Sequence, residues 1–182
     1  MVDHWDIQPS GAVMRISAVI ACAALASCAG VPTQAATPSQ APLKSAGATV
    51  RSWGATLRDW KIDAAGHIEH RSGERVGGNR TDVVIETRRL ILSAGQMKAL
   101  SDAVARVEAV LQQPEQCSQF VTDGPYGTFR WDRGDGEQAL PFSGNCMEGR
   151  DYQLVSAIFA ADKLVDDAAK AVEPAERHPL GE

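Results

Sequence analysis

The 182-residue chain predicts an α+β domain: an antiparallel sheet of about five or six strands with two helices packed on one face. Three observations carry that expectation. Two segments repeat apolar residues at the three-and-four spacing of a helix. Five or six short segments, rich in β-branched and aromatic residues and bounded by Gly, Asp and Pro, have the character of strands. Their order along the chain is strands, helix, strands, helix, which suits a sheet with segregated helices rather than alternating βαβ units. Hydrophobic residues at 44% and charged residues at 23% lie in the ordinary globular range, so a single packed core is expected.

Folded sequence is expected to begin near Val50 and run to about residue 173, as one domain. In "WGATLRDWKID", Thr56, Arg58, Trp60 and Ile62 alternate onto one face and Ala55 and Leu57 onto the other. "AAG" then turns the chain and "HIEHRS" continues it, so the two segments form a hairpin. "GERVGGN" is a loop, and the β-branched Thr81–Ser93 segment is the next strand.

A helix follows. Ser93 and Gln96 have the spacing of a capping box, in which each side chain bonds the other's backbone N–H. Met97, Leu100, Val104, Val107 and Leu111 form its stripe, and Pro114 ends it. Extended segments return in "CSQFVTD", "TFRWD" and "EQALPF", separated by the turns "GPYG" and "RGDG". Phe129 and Trp131 share one face, as do Leu140 and Phe142. The second helix spans about Arg150–Val172, with Leu154, Ile158, Ala161, Val165, Ala168 and Val172 in line; residues 174–182 are a polar tail.

The amino-terminal region has a different character. Met14-Arg15 precedes "ISAVIACAALA", an uncharged run too short to cross a bilayer, which takes roughly 20 apolar residues. Leu25-Ala26-Ser27-Cys28 then resembles the bacterial lipoprotein box. That resemblance covers residues 14–30 only. It implies a signal peptide at 14–27, cleaved before Cys28, and a Cys28 that carries a diacylglyceryl group on sulfur and a further acyl chain, palmitate being typical, on its new amino terminus. Several chains suffice for stable anchoring where one is marginal. Residues 1–13, with Asp3 and Asp6, do not fit a signal and read as an over-extended gene start. Ala29 is not the aspartate associated with inner-membrane retention, so in a Gram-negative cell the expected address is the periplasmic face of the outer membrane, with the inner membrane as the alternative. Pro-, Ala-, Ser- and Gln-rich sequence through residue 49 reads as a solvated tether.

Exported location implies an oxidising compartment. Cys22 lies within the signal and Cys28 is lipidated, which leaves Cys117 and Cys146 as an even pair. They flank the segment between the two helices, and their bridge would brace the helix ends. The opposing reading, a thiol nucleophile with a histidine base, finds no histidine between residues 71 and 177.

Charge narrows the functional classes. The net charge is −5; residues 1–27 carry Asp3, Asp6 and Arg15, which leaves −4 on the remainder. With no basic cluster, nucleic acid is not an expected partner. His67 and His70 stand three apart on a strand, hence on opposite faces, and read as an exposed pair rather than as ligands of one metal. No metal or cofactor is expected from the motifs present. Arg133-Gly134-Asp135 spells a familiar adhesion tripeptide, yet its glycines and aspartates are those of a tight turn. Tyr126, Arg133 and Asp135 are nonetheless the candidate interaction surface, in the stretch richest in aromatics and glycine; Phe129 and Trp131 in that stretch read as core. Glu86 with Arg88 and Arg89, Asp102 with Arg106, and Asp162, Asp166 and Asp167 read as surface ion pairs. The expected function is a non-enzymatic envelope module that binds another protein or supports an assembly. The alternatives are an envelope hydrolase using two of these carboxylates, or a hydrolase inhibitor presenting the loop near Asp123–Gly127.

Overall fold

The computed structural model describes residues 41–75 and 83–179. The segments read as an over-extended start and a signal peptide, Cys28, and residues 29–40 of the expected tether lie outside the described residues. Within them the elements are β1 (Ser45–Ser52), β2 (Ala55–Ile62), β3 (His67–Arg75), β4 (Val83–Ile91), α1 (Ala94–Leu111), β5 (Tyr126–Asp132), β6 (Gln138–Ser143), α2 (Arg150–Lys170) and β7 (Glu176–Pro179). The α+β class holds, with a single sheet of seven strands among the described residues, in the order β6-β5-β1-β2-β3-β4-β7. Every neighbouring pair is antiparallel.

Three local readings are corrected, and together they raise the strand count. Residues 45–48, read as tether, begin β1, a central strand flanked by β2 and β5. Ala48 is opposite Trp60 on one side and Phe129 on the other, and Ala46 is opposite Trp131. The large rings fill the volume, so the strand between them must be small, and the same residues that give a linker its composition give this strand its fit. Gly127 has the same cause: a Cβ there would lie 1.8 Å from the Thr49 carbonyl oxygen across the β1–β5 ladder. Residues 176–179, read as tail, are β7, paired with Val84–Thr87 of β4. All four are exposed, so no alternation marks them. Conversely, "CSQFVTD" contributes only one bridge, Phe120 to Cys146, and no strand.

Other elements follow the sequence closely. The Ser93–Gln96 capping box is formed on both sides, with Gln96 N donating to Ser93 Oγ at 3.3 Å and Ser93 N to Gln96 Oε1 at 2.9 Å. Leu100, Val104 and Val107 of α1 and Leu154, Ile158, Ala161 and Val165 of α2 share one hydrophobic cluster with Ala48, Val50, Trp60, Ile62, Ile68, Phe129 and Trp131 of the sheet. The Phe129 ring packs on both tryptophans, with centroids 6.4 Å from Trp60 and 5.7 Å from Trp131. Helix α1 lies against α2, and α2 touches β3 and β4.

Candidate functional site

Strand β5 separates the residues expected to form one interaction surface. Tyr126 opens the strand, whereas Arg133 and Asp135 lie just beyond Asp132 at its other end. Arg133 is also not on the surface, which corrects its reading. It is 8% exposed. Its Nε donates to Glu108 at 2.9 and 3.1 Å, one terminal nitrogen to the Ala41 carbonyl at 2.7 Å, and the other to the Ser101 carbonyl at 3.0 Å. The guanidinium thus ties the incoming chain to α1, a geometry that needs the planar fork of arginine. Gly134 and Gly136 take φ values of 114° and 101°, and both N–H groups donate to the Asp132 side chain, so the tripeptide is a turn and Asp135 stands exposed on it.

The scattered acids and the histidine pair converge where the sequence did not place them. Asp162 and Asp166, one turn apart on α2, are 1% and 7% exposed, and His70 of β3 is fully buried. Asp162 accepts from Arg58 Nε at 2.7 Å and Trp60 Nε1 at 3.0 Å. Asp166 accepts from Lys170 at 2.7 Å and lies 3.4 Å from His70 Nε2. Beside them, buried Glu86 pairs with Arg88 and, at 2.7 Å, with Arg177 of β7. Asp162, Asp166, Glu86 and His70 are therefore not the surface ion pairs and exposed histidine expected. His67, bonded to Asp63 at 3.0 Å, is exposed as read, as are Asp167, paired with Lys163, and Asp102, whose partner is Lys98 rather than Arg106. Burial pushes the His70 imidazole below its ordinary value; Asp166 and Asp162 oppose that push, and Arg88 and Arg58 add to it. The signal available in sequence was parity: Arg58, Trp60, His70, Glu86 and Arg88 all fall on even positions of their strands, the core-facing set. Chemically the cluster is closed. Each carboxylate already faces a cation, and neither aspartate is presented to solvent, whereas paired-acid hydrolysis needs both acids on a substrate-accessible cleft.

An exposed aromatic tip stands at the end of the sheet away from Ala41. Strands β1 and β2 are joined by Trp53 and Gly54, with φ of 52° and 81°. Two consecutive positive φ values match the right-handed twist of a hairpin, a role usually taken by Asn-Gly. A tryptophan in that conformation is an outlier of the strained kind, and this one is 81% exposed. Gly54 N donates to the Tyr126 hydroxyl at 3.2 Å, Tyr126 is opposite Ser143, and Ser143 opens onto a groove of about 430 Å³. That groove runs between β6, the start of α2 and the Cys117–Cys146 disulfide, whose Cα atoms are 5.7 Å apart. Phe120, 70% exposed, lines it with Phe142, Leu154 and Arg150.

Among the described residues, no group of three or more His, Cys, Asp or Glu is arranged to hold a metal ion, and no helix is long and apolar enough to cross a membrane. No family profile, no curated protein and no solved structure matches this chain.

Proposed function

We propose that this protein is a lipid-anchored envelope protein, held through acylated Cys28 at the periplasmic face of the outer membrane, whose α+β domain is a protein-binding or structural module rather than an enzyme. Both helices cover one face of the sheet, and contact with the partner is made at the end bearing Trp53 and Tyr126. The single observation behind this reading is the 81%-exposed Trp53, held in a left-handed turn. Tryptophan and tyrosine carry a disproportionate share of interface energy, and backbone strain concentrates at functional positions. The architecture is consistent with such a role. The chain enters at Ala41, pinned by Arg133, and β1 then runs eight residues, roughly 26 Å, to Trp53. The aromatic tip therefore stands at the far end of the strand from Ala41.

Two measurements test the proposal. Mass spectrometry of the chain purified from its own envelope should find an acylated amino-terminal Cys28; an unacylated chain retaining residues 1–27 overturns the anchor. A photo-crosslinking amino acid placed at position 53 in intact cells should yield a discrete protein adduct that is lost when the probe is moved to the exposed position 163 on α2. Equal adducts at both positions, or turnover of cell-wall glycan by the purified chain, overturns the binding reading.

A further inference from the structure

The groove next to the aromatic tip has chemistry of its own. One wall is the exposed Phe120 ring with Phe142 beneath it, and the bridge to Cys146 holds that wall in place. At its rim stand two carboxylates: Glu115, whose side chain is 87% exposed, and Asp151 at the start of α2. They share a single guanidinium, Arg150, paired with Asp151 at 2.9 Å and 3.8 Å from Glu115, which leaves one negative charge in excess. An apolar floor with an excess of negative charge at its rim selects against acidic ligands and draws basic ones.

We infer that the groove beside the Cys117–Cys146 bridge docks a segment of a partner protein that carries an apolar side chain flanked by lysines or arginines. The apolar group lies against Phe120 and Phe142, and the flanking cations meet Glu115 and Asp151. This rests on the binding-module reading and names the partner's chemistry. Continuity supports it: Ser143 borders the groove and pairs with Tyr126, which bonds the turn carrying Trp53, so groove and tip form one surface. The site is framed by the disulfide, by the Met147 N–H to Gln119 carbonyl bond at 2.9 Å and by the Val121 N–H to Asn145 carbonyl bond at 2.7 Å, so little ordering is required on binding.

The test uses the acylated full chain in detergent micelles and amide chemical-shift mapping. The probe is the peptide Lys-Lys-Leu-Phe-Lys-Lys, compared with Glu-Glu-Leu-Phe-Glu-Glu. The basic peptide should shift amides near Phe120, Cys146 and Leu154, and the acidic one should not. Glu115→Gln should weaken binding about threefold at low salt and little at high salt. Phe120→Ser should weaken it about tenfold at either. Both side chains are exposed, so the variants keep the fold, and an unchanged amide spectrum without peptide verifies this. Equal binding of both peptides, indifference to Phe120→Ser, or shifts in these amides from soluble cell-wall glycan fragments in place of the basic peptide overturns the assignment. If the groove fails while position 53 still captures a protein, the binding reading survives and only the partner chemistry falls; if neither captures anything, both fall.

Discussion

Asp162 and Arg58 are 104 positions apart in sequence, and in the fold the carboxylate takes both Arg58 Nε at 2.7 Å and a terminal guanidinium nitrogen at 2.6 Å. The same carboxylate accepts the Trp60 indole N–H, so one α2 side chain orders two residues of β2. The aspartate side chain is 2% exposed and the arginine 30%. Removing one partner of such a pair leaves an uncompensated charge at a largely dry site.

Asp162→Ala should therefore cost about 3 kcal/mol in a urea titration, the low end for a buried pair because Arg58 retains some solvent. Asp167→Ala, which breaks only the exposed pair with Lys163, should cost about 0.5 kcal/mol or less. Replacing Arg58 and Asp162 together with Met and Leu should recover part of the loss, since matched apolar groups substitute well for a buried pair while the Trp60 indole N–H is left without its acceptor. Equal costs for the two single alanine variants would show that Asp162 is not an anchor of the fold.

Arg133→Lys keeps the charge and loses the fork. One ammonium cannot reach Glu108, Ser101 and Ala41 from one position. A loss of about 2 kcal/mol is expected, with faster hydrogen exchange at the Lys44 amide, which bonds the Asp132 carbonyl at 2.8 Å beside the clamp. Unchanged exchange at Lys44 would mean that the chain entry is held by β1 pairing alone.

Cys117 and Cys146 close a loop of 29 positions. Replacing both with serine should lower stability by about 3–4 kcal/mol through the unfolded chain's regained freedom. Far-UV circular dichroism should be nearly unchanged, because the helices and the sheet do not depend on the bridge. A change in denaturation midpoint within error, under conditions where the wild-type bridge is verified intact, would be the contrary result.

His70 links stability to pH. Burial lowers its proton affinity in the folded state, so below its ordinary value of 6.5 the unfolded chain binds the proton that the folded chain refuses. This contribution is fully present above about 6.5 and is lost as the pH falls through it, with a slope of at most about 1.4 kcal/mol per pH unit. Asp166 and Asp162 face the ring from α2 and favour protonation, Arg88 and Arg58 face it from the sheet and oppose it, and burial outweighs the aspartates. Thermal melts between pH 7.5 and 5.5 should show a falling midpoint in the wild type and a flatter profile in His70→Gln; superimposable profiles would exclude His70 as the source.

What could be read without the structure was whatever a short window contains. The capping box at Ser93 and Gln96, the stripes of α1 and α2, the β2–β3 hairpin, the burial of Phe129 with Trp131 and the turn at Asp132–Gly136 are all local patterns, legible because helix and strand periods impose them within a dozen residues. Tertiary structure alone decided the rest. Whether Ala46 and Ala48 belong to a tether or a central strand depends on the rings of Trp60, Phe129 and Trp131, which come from two other strands. Whether Asp166 and His70 meet water or one another depends on how α2 lies across the sheet. Burial and charge pairing are set by residues far away in sequence, and a single chain read in order carries no record of which distant side chains will arrive.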